Sequence, residues 1–181
     1  MLDKKYTQEA LKKFTKYVVS QSRANLTRKD KNVKRKLWDS VKGESLVSKN
    51  SIGVYFEMEG YGEYQDKGVK GKTSSLKAPN SDFRFGSGSS KNKGGLTKSI
   101  NQWVRDKRIQ FRQKEGKGVK GQLLSYSQTA FLITRSVYNK GIPASRFFSK
   151  PFEDGFDRLP NQILEAYGLD VEEFLKQTIK K

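Results

Sequence analysis

The stretch that decides the fold class is residues 44–58, ESLVSKNSIGVYFEM. Ile52, Val54 and Phe56 occupy every second position of its latter half, a spacing typical of a half-buried strand. The polar residues 49–51 separate this run from an earlier one, as a tight turn would. The pattern therefore predicts a hairpin of two antiparallel strands, Glu44–Ser48 and Ile52–Met58.

Helical patterns flank this hairpin on both sides. In Thr7–Asn25 the apolar residues Leu11, Phe14 and Val18 recur at i, i+3 and i+7, and Thr7 is the expected N-cap. Further helices are predicted over Arg35–Lys42, Thr97–Arg108, Ser125–Lys140, Ser149–Leu159 and Pro160–Tyr167, with a last helix capped by Asp170 after a stop at Gly168. The expected fold class is α+β, with several helices packed on a small antiparallel sheet or hairpin.

A long connection interrupts this regular pattern. Residues 68–95 have almost no hydrophobic periodicity and are rich in Gly, Ser and Lys. A loop of this length inside a compact domain is either functional or disordered, so we expect it to become ordered on a partner. The prediction is one domain over 1–181, with an extended basic loop at about 68–95 and a helical C-terminal extension at about 160–181.

Composition excludes several classes of chemistry. The 181 residues include no Cys and no His, which removes Cys/His zinc sites, disulfides and catalytic triads built on histidine. The apolar runs are too short to span a bilayer, and the N-terminus lacks the apolar core of a signal peptide. We therefore expect a soluble chain made in a reducing cytosol, with no membrane partner.

Charge is distributed in blocks of opposite sign. The chain has 37 basic and 19 acidic residues, a net charge of +18. Residues 1–50 contain 14 basic and 5 acidic groups, and residues 67–122 contain 15 and 3, whereas residues 51–66 contain four acidic groups and no basic one. Such blocks suit an acidic partner, a path for nucleic acid, or head-to-tail packing against a copy of the chain.

Two chemical roles are alternatives to a structural one. Glu57 and Glu59 would share one strand face near Lys67, so a metal-dependent nuclease is a weak alternative, although no acidic triad supports it. The stronger alternative is a basic nucleic-acid-binding protein, because aromatic residues lie among the basic ones. Those aromatic residues are Phe83, Phe85, Trp103 and Phe111, although the helical spacing of Trp103 from Ile100 and Val104 predicts that Trp103 is buried.

Four stretches, in order, resemble the tail-completion or neck proteins of tailed bacteriophages. They are the N-terminal helix leading to Leu37, Trp38 and Val41; Val54–Phe56 followed by Tyr61–Gly68, YGEYQDKG; Ile100–Val104; and Ile142–Pro151, IPASRFFSKP. The second is similar to the family's Y-x-x-Y-x-(D/E)-x-G strand end, and the fourth to its P-A-R and F…P segment. The long basic loop and the helices beyond Pro160 depart from that pattern.

The resemblance implies a structural virion protein that forms a ring at the head–tail junction, with no catalytic residue, cofactor or metal. Its implied partners are other copies of itself and portal, neck or tail proteins, with non-specific contact to DNA, and it would be made in the host bacterial cytoplasm. The expected subunit or partner interface comprises Glu57, Glu59, Tyr61, Tyr64, Arg146, Phe147 and Phe148. The expected basic contact loop comprises Lys91, Lys93, Arg105 and Arg108.

Overall fold

The computed structural model describes residues 4–29, 35–48, 51–86, 95–113 and 121–179. Its elements, in chain order, are α1 (Lys5–Arg28), α2 (Lys36–Ser40), β1 (Lys42–Val47), β2 (Ile52–Glu57), α3 (Gly62–Lys67), β3 (Val69–Lys70), α4 (Gly95–Asp106), α5 (Tyr126–Lys140), β4 (Gly141–Ile142), α6 (Ser149–Phe156) and α7 (Leu159–Ile179). Both strand pairs are antiparallel. The α+β prediction is confirmed.

The chain groups by internal contacts into two compact units. The first contains Met1–Gly62 together with Arg146–Lys181, and the second contains Glu63–Ser145. The second unit is therefore inserted into the sequence of the first. The prediction of one domain over 1–181 did not anticipate this division.

The predicted hairpin forms in the first unit. β1 pairs with β2 from Lys42 opposite Glu57 to Val47 opposite Ile52. Because side chains alternate along a strand, Val54 and Phe56 share a face and pack on a core of α1 and α7 side chains. That core consists of Leu11, Phe14, Val18 and Leu159. The i, i+3, i+7 spacing in α1 is thus explained by burial.

The N-terminus of α1 is capped by a residue from the other end of the chain. Asp170 is 2% exposed, and its carboxylate accepts hydrogen bonds from the backbone N–H groups of Tyr6 (2.8 Å) and Thr7 (3.0 Å) and from the Thr7 hydroxyl (2.7 Å). The first N–H groups of a helix lack partners within the helix, and a carboxylate there is favoured by the helix dipole.

This contact corrects three predictions. Thr7 is not the N-cap, because α1 begins at Lys5 and Thr7 is a buried residue of its first turn. Asp170 does not begin a helix, and Gly168 does not end one, because α7 continues unbroken from Leu159 to Ile179. Of the segment predicted as a C-terminal extension, Ala166 and Asp170 are buried in the first unit, whereas residues 172–179 are exposed.

In the second unit, the beginning of the predicted loop is well packed. Lys70 donates its backbone N–H to Phe83 (2.8 Å) and accepts from Phe85 (2.9 Å), and the Ser81 hydroxyl bonds the carbonyl of Gly68 (2.7 Å). The expectation of an unstructured loop is therefore wrong for residues 68–86. Its remainder, 87–94, lies outside the described residues.

Close backbone approach explains two glycines of this unit. A Cβ at Gly71 would lie 2.0 Å from the carbonyl oxygen of Asn139, and one at Gly141 would lie 2.3 Å from that of Val69. Gly141 also has a φ of +84°, a conformation that favours glycine. These glycines let β3 and β4 pair tightly.

Helices α4 and α5 pack against each other in the second unit. α5 begins as predicted, at a capping box in which the Ser125 and Gln128 side chains each bond the other's backbone N–H. Val104 of α4 is fully buried, but Trp103 is 39% exposed. The burial predicted for Trp103 is wrong, because helical spacing places it at the edge of the buried stripe and not at its centre.

Candidate functional site

The two glutamates of the expected interface lie at the end of the hairpin in the first unit. Glu57 is the last residue of β2 and lies opposite Lys42. Glu59 follows the strand, with its Oε1 3.4 Å from the Nζ of Lys36 and its backbone N–H bonded to the Ser40 hydroxyl (3.0 Å). The two carboxylates therefore do not share a strand face, and a lysine lies near each of them.

Metal ligation finds no support in this arrangement. Across the residues that the structure describes, no group of three or more Asp or Glu side chains could hold a metal ion. Glu57 and Glu59, the residues of the nuclease alternative, are not part of such a group among the described residues.

Tyr61 is the polar aromatic residue at the same end of the first unit. Its side chain is partly exposed. Partial burial, followed by the negative charge of Glu59, raises the pKa of the Tyr61 phenol, although Lys36 acts in the opposite direction. Tyr61 therefore stays neutral well into the alkaline range, with its ring partly exposed and its hydroxyl hydrogen-bonded to the backbone of Leu37.

Tyr64 belongs to the second unit, where its ring is about half exposed. It meets Phe83 edge to face, with 4.5 Å between the ring centroids, and the Nζ of Lys67 lies 5.9 Å from the Phe83 centroid. The Lys67 ammonium also binds the Glu63 carboxylate at 2.8 Å, and this hydrogen bond raises the Lys67 pKa. The ring of Tyr64 is therefore partly exposed and is supported by its contact with Phe83.

Two of the sequence stretches that carry the phage resemblance meet in this unit. The carbonyl of Gln65 accepts hydrogen bonds from both the backbone N–H (3.0 Å) and the hydroxyl (2.6 Å) of Ser145, 80 residues further along. Val69 pairs with Ile142 in the adjoining strands. One packed junction is therefore formed by Tyr64–Gly68, from the Tyr61–Gly68 stretch, and Ile142–Ser145, from the Ile142–Pro151 stretch.

The Ile142–Pro151 stretch continues into the first unit with Arg146, Phe147 and Phe148, which have three different environments. Arg146 has a φ of +47°, and its guanidinium binds the Glu153 carboxylate at the surface. Phe147 is fully buried with Leu26, Leu37 and Val41. Its side chain is part of the core in this fold and is not displayed as an interface.

Phe148 is partly buried at the meeting of two hydrophobic clusters. It lies edge to face with Phe56 at 5.3 Å and stacks on Phe152 at 6.0 Å. Such pairs add stability beyond the area that they bury. Phe148 therefore supports the hairpin from inside the unit, and Arg146 is the residue of this trio that faces solvent.

The expected basic residues are placed only in part. Arg105 and Arg108 are exposed at the C-terminal end of α4 in the second unit. The Arg105 guanidinium bonds the side chain of Asn101 (3.0 Å) and lies 5.4 Å from the Tyr126 ring centroid. Lys91 and Lys93 lie outside the described residues, so their proximity to the arginines stays a prediction.

Sequence reasoning missed a groove in the first unit, between α1 and β1. It has a volume of about 1240 Å³ and is lined along α1 by Lys12, Lys16, Val19 and Arg23, and along the hairpin by Lys42 and its neighbours. The Arg23 guanidinium bonds the Val41 carbonyl (3.0 Å) and lies 4.5 Å from the Trp38 ring centroid. The signal in the sequence was a row of basic residues on the wet face of α1, which also fits a simple solvated face.

An exposed apolar stripe on α7 was missed as well. Leu164, Tyr167, Leu175 and Ile179 recur at helical spacing, with Val171 between them, and Leu164 and Ile179 are 70% and 82% exposed. The inward face of the same helix is occupied by Leu159, Ala166 and Asp170. Exposed apolar rows of this kind mark interaction surfaces.

No protein-family model, curated protein or solved structure matches this chain. In the described segments, no helix is both long enough and apolar enough to cross a membrane.

Proposed function

We propose that this chain is a structural, non-enzymatic virion subunit that forms a ring at the head–tail junction of a tailed bacteriophage, as a neck or tail-completion protein. It is made in the host bacterial cytoplasm and is then incorporated into the virion. Its partners are other copies of itself and the adjoining portal, neck or tail proteins.

The observation that carries this proposal is the junction in the second unit. The stretches around Tyr64–Gly68 and Ile142–Ser145 were singled out because both resemble segments of one family, and they are 80 residues apart at their hydrogen-bonded residues, Gln65 and Ser145. Segments that define a family by fold should lie in one packed core. Their contact through two hydrogen bonds and a strand pair supports the resemblance.

The exposed apolar side chains and the charged segments of the chain support a role as a subunit of an assembly. The described residues expose large apolar side chains on several elements, among them Leu164 and Ile179 on α7 and Phe131 on α5. The chain also carries basic and acidic segments, and charged surfaces of opposite sign guide subunits into register. A closed ring uses two different surfaces of each subunit, which this distribution provides.

The native mass of the purified full chain tests the proposal. The expected result is one dominant closed assembly whose mass is an integer multiple of 20.7 kDa, seen as rings by electron microscopy. A chain that stays monomeric at every concentration, both alone and with portal and tail proteins, would refute it.

A basic nucleic-acid-binding protein is the second candidate, favoured by the net charge of +18 and by the exposed Arg105 and Arg108. A dedicated binder holds DNA or RNA as a monomer, with a steep salt dependence from released counterions. Titration with short single- and double-stranded DNA at about 150 mM salt separates the candidates, because non-specific binding has a Kd of roughly 10⁻⁴ to 10⁻⁶ M. A Kd below about 10⁻⁸ M that is lost in Arg105→Gln/Arg108→Gln would favour this candidate over the ring.

A further inference from the structure

We infer that the apolar stripe of α7 in one copy of the chain docks into the groove between α1 and β1 of the next copy. For this inference the groove is defined by Lys12, Lys16, Val19, Arg23, Trp38 and Lys42, and the stripe by Leu164, Tyr167, Val171, Leu175 and Ile179. The inference rests on the proposed ring and names the contact that builds it.

The groove has the chemistry of a helix receptor. Its lining includes Val19 and Trp38, and the guanidinium groups of Arg23 and Arg35 lie over the Trp38 ring at 4.5 and 4.3 Å from its centroid. Lys12 and Lys16 border it as exposed cations, and neither forms an ion pair with another described residue. The lining also contains one acidic residue, Glu44, but its basic residues outnumber it, so the groove suits an apolar helix that carries acidic residues beside its apolar face.

The stripe on α7 has the complementary chemistry. Five apolar side chains recur at intervals of three or four residues, which places them on one face of the helix. Glu165 and Glu172 fall on one side of that face, about 80° and 60° around the helix from Leu175 at 100° per residue, and Glu172 also pairs with Lys176. Apart from the buried Asp170, the described length of α7 has three carboxylates and one ammonium group, whereas α1 has six basic residues and one acidic residue.

The two surfaces also match in length. The part of α1 that lines the groove runs from residue 12 to residue 28, about 24 Å at 1.5 Å per residue. The stripe runs from Leu164 to Ile179, about 22 Å by the same rise. One helix face can therefore be covered by the other along its whole length.

The groove and the stripe lie on different sides of the first unit, so a contact between them joins two copies of the chain. α7 packs against its own α1 where Asp170 meets Tyr6 and Thr7. By helical spacing, Val19 and Arg23 lie about 120° and 160° around α1 from Thr7. A subunit with donor and receptor on different sides forms head-to-tail contacts, and these close into a ring when the rotation permits.

The absence of cysteine from the chain allows a clean cross-linking test. Ser20 is the midpoint of the groove segment of α1, and Val171 is near the midpoint of the stripe, so a Ser20→Cys chain and a Val171→Cys chain should meet for either helix direction. Mixed under mild oxidation, they should form a disulfide-linked heterodimer at least about tenfold faster than Ser20→Cys with Lys98→Cys, because docking raises the local thiol concentration. Lys98 is an exposed residue of the second unit and serves as the matched control.

A charge swap then tests specificity. Adding Lys12→Glu and Lys16→Glu to the groove chain should reduce the cross-linking rate to that of the control pair. Adding Glu165→Lys and Glu172→Lys to the stripe chain should restore it.

Three other results would overturn the inference, and they can be told apart. Rings that assemble without the Ser20–Val171 cross-link would remove this interface but leave the proposed function intact. A cross-link that is abolished by short DNA at about 150 mM salt would assign the groove to nucleic acid instead. A chain that stays monomeric under all conditions would refute the proposed function together with the inference.

Discussion

Asp170→Ala should destabilise the first unit more than any change to an exposed carboxylate. The Asp170 carboxylate joins the last helix of the unit to the first turn of its first helix, through two backbone N–H groups and the hydroxyl of Thr7. Thr7 is 0% exposed, so water cannot replace the lost acceptor without opening the structure.

The expected cost follows from these three bonds. A buried donor left without a partner costs about 1–3 kcal/mol, and loss of a helix cap costs about 0.5–2 kcal/mol. The Thr7 N–H and hydroxyl are both buried, while the Tyr6 N–H is only partly so. Because the three donors share one carboxylate, their costs overlap, and we expect a total of about 3–4 kcal/mol in the free energy of unfolding.

Denaturant unfolding followed by the fluorescence of Trp38 measures this cost in the correct unit. The chain has two tryptophans, and replacing the partly exposed Trp103 with Phe leaves Trp38 as the only reporter. Asp170→Asn keeps one oxygen acceptor but turns the other position into a donor, so it should cost about half as much as Asp170→Ala, about 1–2 kcal/mol. Glu173→Ala, an exposed carboxylate on the same helix, is the matched control and should change stability by less than about 0.5 kcal/mol.

The order of these three variants decides the outcome. Equal stability of Asp170→Ala and Glu173→Ala would show that the carboxylate does not cap α1. The same conclusion would follow if Asp170→Asn were as stable as the parent chain.

Three further predictions concern single positions. Trp103→Ala should cost less than about 1 kcal/mol, because the ring is partly exposed, and a loss of about 3–5 kcal/mol on denaturant unfolding would show that it is buried after all. Gly71→Ala should destabilise the chain by about 1–3 kcal/mol or more, since its Cβ would overlap the backbone of Asn139. Gly168→Ala should stabilise the chain by about 0.5–1 kcal/mol, because Gly168 is inside a helix with open space around it. Thermal melts that show the reverse order would contradict both placements. Glu59→Gln should lower the raised pKa of Tyr61 towards the ordinary value of 10.0, measured as phenolate absorbance against a Tyr61→Phe control. In the parent chain the raised pKa means that stability falls as the pH rises past about 10. An unchanged titration of Tyr61 in Glu59→Gln would contradict the electrostatic contact.

Local patterns were sufficient wherever an element is specified by its own residues. The hairpin has a period of two and a polar turn, and α5 was predicted as Ser125–Lys140, so both elements were placed close to their observed bounds. α7 shows the limit of such signals. Gly168 and Asp170 together are a typical stop and start, but a contact with Thr7, 163 residues away, keeps the helix continuous through both.

Prediction of the interface residues was limited for the same reason. Arg146, Phe147 and Phe148 are adjacent in sequence, and nothing local indicates that the middle residue is the buried one. The left-handed backbone at Arg146 changes the direction of the chain there, and the partners of Phe147, such as Leu26 and Leu37, come from far away in sequence. The groove likewise exists only because α1 and β1 lie side by side, which no single helix pattern reveals.

The insertion of the second unit into the first has a consequence for biosynthesis. Glu63–Ser145 is one continuous segment that can fold as it leaves the ribosome, whereas α1 must wait for α7. At about 5–20 residues per second, Asp170 is added on the order of 10 s after Thr7. During that interval Leu11, Phe14 and Val18 have no partner from α7 to cover them. Until its last helix has been made, the nascent chain therefore leaves the α7-facing side of α1 uncovered.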